Sequence, residues 1–133
     1  VDRSAKMLQM AEHLAKKTSL NYELFNSDIT SLPIADESID VVFINMVLHH
    51  VPVPGAAINE AARVLKRKGK IFIIDMEEHN DENFRETQGD LWLGFSREEL
   101  ITWLNAAGLQ VEMQMSKPYM QHKIIIIKAT KSE

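Results

Sequence analysis

Helical and strand-like segments alternate along this chain, and the alternation predicts an α/β fold: a three-layer sandwich with a largely parallel sheet in the middle. Three observations carry that expectation. Ile39–Asn45 and Ile71 to Ile74 are nearly unbroken runs of β-branched and aromatic residues, the composition of parallel strands covered on both faces. Between them Ala57, Ile58, Ala61, Val64 and Leu65 recur at helical spacing. Beyond them Leu109 to Met115 and Lys123 to Ala129 form two further strand-like runs joined around Pro118, a neighbouring pair that suits an antiparallel ending.

Each element follows from local chemistry. Val1-Asp2 reads as the end of a strand, and Ser4 is a good N-cap for a helix carrying Met7, Met10, Ala11, Leu14 and Ala15, with the methionines as core filler. Asn21 to Asn26 reads as a short strand, and Ser31 to Ser38 as loop and turn. Pro54 suits the first turn of the second helix, and Gly69 is placed to end it. Glu77 to Asp90 is polar, a loop with a short helix interrupted by Gly89. Ser96-Arg97-Glu98-Glu99 is a capping box leading into Leu100, Ile101, Leu104 and Ala107, with Gly108 as the stop. A chain that opens on a strand end gives the expectation that another strand precedes Val1.

Composition narrows the function classes. The 133 residues suit one domain, and 45% hydrophobic with 26% charged residues is a soluble balance rather than a disordered or membrane one. A net charge of -4 gives no electrostatic reason to bind nucleic acid, and the basic cluster Lys66, Arg67, Lys68 and Lys70 lacks interleaved aromatics, so it reads as a solvated turn. With no cysteine, these residues offer no disulfide, thiolate metal site or thiol nucleophile. The longest aliphatic block, Ile124 to Ile127, falls far below the ~20 residues of a membrane span, and no signal-like segment opens the chain, so a cytoplasmic location is expected.

In open parallel sheets the ligand crevice lies beyond the carboxyl ends of the strands. Asp2, Asp28, Asn45 to His50 and Asp75 to His79 occupy those positions. Asp2 could accept hydrogen bonds from both hydroxyls of a ribose, and Asp28 from an exocyclic amine such as that of adenine. Aspartate and asparagine are equally ordinary cap and turn residues, so their shared rim carries the argument.

These pieces, in this order, resemble class I S-adenosylmethionine-dependent methyltransferases of the small-molecule type. Val1-Asp2-Arg3-Ser4-Ala5-Lys6-Met7-Leu8 resembles the end of the family's second strand and its helix, which implies that Asp2 holds the ribose. Asp28-Ile29-Thr30-Ser31-Leu32-Pro33 is similar to the adenine-side loop, and Asn45-Met46-Val47-Leu48-His49-His50 to the loop facing methionine and substrate. Glu60 to Lys66 with Gly69 resembles the helix and turn entering the fifth strand. The resemblance implies a Rossmann-like methyltransferase sandwich with its last strand antiparallel, S-adenosyl-L-methionine as cofactor, and Asp2, Asp28, Ile29, Asn45 and Met46 as cofactor-binding residues. Leu93-Gly94-Phe95-Ser96 and Ala107-Gly108-Leu109 are similar to methyltransferases associated with ArsR-type regulators, although the lack of cysteine makes arsenic an unexpected acceptor.

Two departures stand out. Arg67-Lys68-Gly69 stands where the family usually has Pro-Gly-Gly, and the family's N-terminal glycine-rich motif is missing. Residues 1–133 are therefore expected to be a single methyltransferase-like domain truncated at its N-terminus, the C-terminal part of a longer one. The strand around Val41 to Ile44 would then be exposed and seek a second copy, giving a homodimer. The partners expected are a small-molecule substrate, with neither nucleic acid nor membrane. The alternatives are a non-catalytic truncated fragment that dimerises without binding cofactor, and a nucleotide-binding oxidoreductase.

Other residues admit more than one reading. His49 and His50 are the catalytic candidates, as general base or substrate contacts; each could equally be packed beneath the loop or solvated. His79 with Glu77, Glu78 and Asp81 matches no metal-ligand spacing and reads as a solvated acidic loop, so no metal site is expected. Trp92 and Phe95 could wall a pocket, anchor a lid or join the core.

Overall fold

A computed structural model describes residues 1–133. In chain order the elements are α1 (Ala5–Ala15), β1 (Ile39–Asn45), a single 3-10 turn (Leu48–His50), α2 (Pro54–Val64), β2 (Leu65–Met76), α3 (Asn83–Gln88), α4 (Arg97–Ala106), β3 (Leu109–Tyr119) and β4 (His122–Lys131). The four strands form one sheet in the order β1-β2-β4-β3. β1 runs parallel to β2, whereas β4 inserts antiparallel between β2 and β3. The predicted antiparallel ending is therefore present.

Strand alternation decides which face is buried. Val42 and Ile44 lie beside Ile71 and Ile73, which pair across β4 with Ala129 and Ile127. α2 covers this face with Ala57, Ile58, Ala61 and Ala62, and α4 with Leu100 and Leu104, so one contiguous core results. The caps behave as their residues dictate: Ser96 Oγ accepts from Glu99 N–H at 3.1 Å, and Ser4 Oγ from Met7 N–H at 3.2 Å. No helix is long and apolar enough to cross a membrane.

Four expectations are corrected. Val41 and Phe43 point to the opposite face, where Phe43 stacks on Phe72 at 4.9 Å but stays 69% exposed; β1 is an edge strand covered by helices on one side only. Met7 and Met10 are not core filler, because α1 buries none of its residues. Asn21 to Asn26 forms no strand: the only pairing there is an isolated parallel bridge between Asp2 and Asn26. Without a neighbouring ladder, Leu20, Tyr22 and Leu24 have nothing to pack against and are exposed. Lastly, Gly69 does not end α2, which stops at Val64 as Leu65 turns extended. The pairing with β1 jumps from Leu65 to Lys70, so Lys66, Arg67 and Lys68 bulge outward while Gly69 stays buried. Lys68, not glycine, takes the left-handed conformation there, at φ 65°.

Candidate functional site

The parallel pair β1 and β2 directs its carboxyl ends to one rim of the sheet, the place where an open α/β fold collects ligands. A cavity of about 240 Å³ opens at that rim, lined by Val1, Asp2, Asp28, Ile29, Met46 and His50 among others. Two segments far apart in sequence thus bring their carboxylates to one hollow. Their joint is the bridge at Asn26: Asp2 N–H donates to Phe25 O and Ser27 N–H to Asp2 O, each at 3.0 Å.

Each carboxylate is held by its own turn. Asp2 Oδ1 accepts from Ser4 N–H at 2.8 Å. Asp28 Oδ1 accepts from Thr30 N–H at 2.9 Å and Thr30 Oγ1 at 2.7 Å, while its Oδ2 faces the Arg3 guanidinium at 3.8 Å. The backbone and side-chain hydrogen bonds from Thr30, aided by Arg3 and only partly opposed by burial, hold the Asp28 carboxyl below its usual range, so it is anionic near neutrality. In both residues Oδ1 orients the group, while Oδ2 accepts no hydrogen bond from the chain. Met46, directly after β1, sits at φ 54°, a conformation uncommon for a side chain of this kind, and donates its N–H to Ile74 O at 2.7 Å. That pinned bend turns the chain along the cavity wall.

Asn45 ends β1 with its side chain exposed and does not line the cavity. The two histidines separate: His50 borders the cavity, whereas His49 is buried behind it. His49 Nδ1 lies 2.7 Å from Oδ1 of the fully buried Asp75 near the end of β2. Burial alone would lower the His49 pKa, but the Asp75 hydrogen bond and the charges of Asp75 and Asp90 outweigh it and raise the value. Asp90, also buried, approaches His49 Nε2 at 3.6 Å and His50 Nε2 at 3.7 Å.

A larger hollow of about 600 Å³ lies around Glu77, His79, Arg97 and His122. None of its lining residues is hydrophobic, so it offers no wall for a purine ring, and the smaller cavity is the better candidate. His79 there stacks on His122 at 4.3 Å, and its Nδ1 accepts from Asp81 N–H at 3.1 Å. Burial first, then the neighbouring His122, push the His79 pKa down. Phe95 joins the core, and Trp92 donates Nε1–H to Val51 O at 2.8 Å, which anchors the loop after α3 to the turn after β1.

Comparison with known proteins now decides the family. Residues 1–73 match the family model described as "Methyltransferase domain". The chain belongs to this methyltransferase family. It is 35% identical over 77 residues to an arsenite methyltransferase of Halobacterium salinarum, covering 57% of this chain and 20% of that protein. The match spans 20% to 37% of the length of its curated relatives. A Bacillus halodurans structure described as a putative methyltransferase superposes with a TM-score of 0.86 at 16% identity, covering 99% of this chain and 81% of that one. Burkholderia thailandensis 1,6-didemethyltoxoflavin-N1-methyltransferase, solved with 1,6-didemethyltoxoflavin and S-adenosylhomocysteine, gives 0.73 at 17% identity, covering 99% of this chain and 70% of that one. The Rossmann-like methyltransferase fold is thereby established.

Two residues that meet the histidines have no role assigned by the sequence. Asp75 is offered only as a strand-end position, yet its place near the end of β2, beside the strand that precedes His49, is a usable signal. Asp90 carried none, since it reaches the histidines from a loop 40 residues further along.

Proposed function

We propose that the protein binds S-adenosylmethionine in the cavity beyond β1 and transfers its methyl group to a small-molecule acceptor. One observation carries this reading: Asp2 and Asp28 line the same hollow together with Ile29, Met46 and His50. The donor set suits an adenosyl group. Asp2 Oδ2 is free to accept from ribose hydroxyls, Asp28 Oδ2 from the adenine amine, and Ile29 and Met46 supply apolar walls for the base. Asn45, exposed and outside the lining, takes no part.

The cofactor supplies a methyl group on a positively charged sulfur, already activated toward nucleophiles. The work left to the chain is positioning. The Thr30 hydrogen bonds fix the Asp28 carboxylate, and the Ser4 N–H fixes that of Asp2. His50, half exposed at the cavity edge, is the side chain placed to meet the acceptor. His49, clamped by Asp75, is a positioning residue beneath it.

Calorimetric titration with S-adenosylhomocysteine, with NAD run in parallel, tests this reading. Saturable binding of S-adenosylhomocysteine alone is expected. Binding of NAD instead, or of neither, would overturn it.

A further inference from the structure

The group formed by His49, His50 and Asp90 is more than a packing arrangement. Its three candidate ligand atoms lie within 4.8 Å of one another. Asp90 Oδ1 is buried and has no hydrogen-bond partner; its side chain is only 2% exposed. Two histidine Nε2 atoms stand near it, at 3.6 and 3.7 Å, beyond hydrogen-bond length.

The opposite ring nitrogens are both engaged with acceptors. His49 Nδ1 lies 2.7 Å from Asp75 Oδ1, and His50 Nδ1 lies 3.3 Å from Gly89 O. An acceptor can be satisfied only by N–H, so in the neutral rings Nδ1 carries the hydrogen and Nε2 presents a lone pair. Three electron-pair donors then face one small volume. With both rings neutral, Asp90 Oδ1 receives no donated hydrogen there, and an unsatisfied buried carboxylate oxygen is costly.

We propose that His49 Nε2, His50 Nε2 and Asp90 Oδ1 bind a divalent transition-metal ion of the zinc type. Two imidazoles and a carboxylate are a borderline nitrogen–oxygen donor set suited to such an ion. Tetrahedral ligands about 2 Å from an ion stand roughly 3.3 Å apart, so the observed spacings need to contract by only a few tenths of an ångström for two of the three pairs. Asp75 completes the arrangement as the carboxylate behind the His49 ring, fixing both its tautomer and its tilt. The backbone is built to hold Asp90 there: Leu91 and Trp92 N–H both donate to His49 O, at 3.0 and 3.1 Å. Three protein ligands leave a fourth position, and His50, 42% exposed, gives the ion a way in from the cavity side. With an ion bound, His50 Nε2 is a ligand and no longer available as a base.

The test is calorimetric titration of chelator-stripped, tag-free protein with zinc chloride, without any cofactor analogue. One ion per chain is expected. His50→Ala, at the half-exposed ligand, should weaken binding by at least about tenfold, and Asp75→Asn by ~10–100-fold. His122→Ala, which alters the other histidine pair, should leave affinity unchanged. Cobalt(II) should give visible d–d absorption that His50→Ala abolishes. Absence of stoichiometric binding, equal affinity in His50→Ala, or loss of binding in His122→Ala would overturn the site. Circular dichroism of each variant separates lost ligation from lost folding. Because no cofactor is present, this result is independent of the S-adenosylhomocysteine titration.

Discussion

The two sides of the cavity are made from very different parts of the molecule. Every buried residue falls between Ile44 and Ala129, and none comes from the segment that supplies Asp2, Asp28 and Ile29. His49 and His50 sit on the packed side, beneath a sheet whose Ile71, Ile73 and Ile125 are fully enclosed. The side that carries Asp2 and Asp28 is tied on by a bridge at Asn26, local turns, one polar cluster on α2 and the half-buried Ile29, which packs against the core. Core burial sets stability, whereas ligand contact needs only orientation, so the two properties can reside in different stretches of one chain.

The largest contrast expected between the two sides is in stability. Ile73→Ala, at the centre of the core face, should cost about 2–5 kcal/mol in urea unfolding. Met10→Ala, at a residue of α1 that is 55% exposed, should stay within about 0.5 kcal/mol. Equal losses would show that α1 packs as tightly as the sheet. Next in size is Gly94→Ala. Gly94 sits at φ 78°, and a side chain there would collide with the Glu77 carbonyl. The substitution should cost roughly 1–3 kcal/mol, read by thermal melting, because it pries Phe95 from the core and loosens the loop leading back to Asp90.

How much of this was legible in the sequence follows the same division. β1, β2, the α4 cap at Ser96 and the antiparallel ending were readable because each rests on local pattern or cap chemistry. The convergence of Asp2 and Asp28 was readable only through strand-end logic and family resemblance. The misreadings lie where tertiary context rules. Met7 and Met10 show helical periodicity, but periodicity states which face is apolar and not whether anything covers it. Residues 21–26 have strand-like composition without a partner ladder. Gly69 looked like a helix stop because glycine often is one, yet Leu65 had already left the helix. Asp90 meets His49 and His50 by loop closure alone, which no local pattern encodes.

The smallest expected effect concerns the polar cluster that joins the two sides. Glu60 on α2 accepts from Leu32 N–H at 2.7 Å and pairs with Arg63, which also donates to Leu32 O at 3.1 Å. The Arg63 hydrogen bond, opposed by burial and helped by the Leu32 N–H, holds the Glu60 carboxyl below its usual range. A carboxyl made more acidic by folding stabilises the native state above its ordinary pKa, and that contribution is lost as pH falls through the lower folded value. Protection of the Leu32 amide from hydrogen exchange should therefore decline on acidification before that of Ile73. Glu60→Gln should flatten the early decline. If Leu32 and Ile73 lose protection together, the loop and the core open as one unit.

The most direct test is a double-mutant cycle on S-adenosylhomocysteine affinity with Asp2→Ala, Asp28→Ala and the double variant. If both carboxylates grip one adenosyl group, each single change should weaken binding by roughly 1.5–3 kcal/mol with folding stability little altered. Full affinity in either single variant would contradict the shared site.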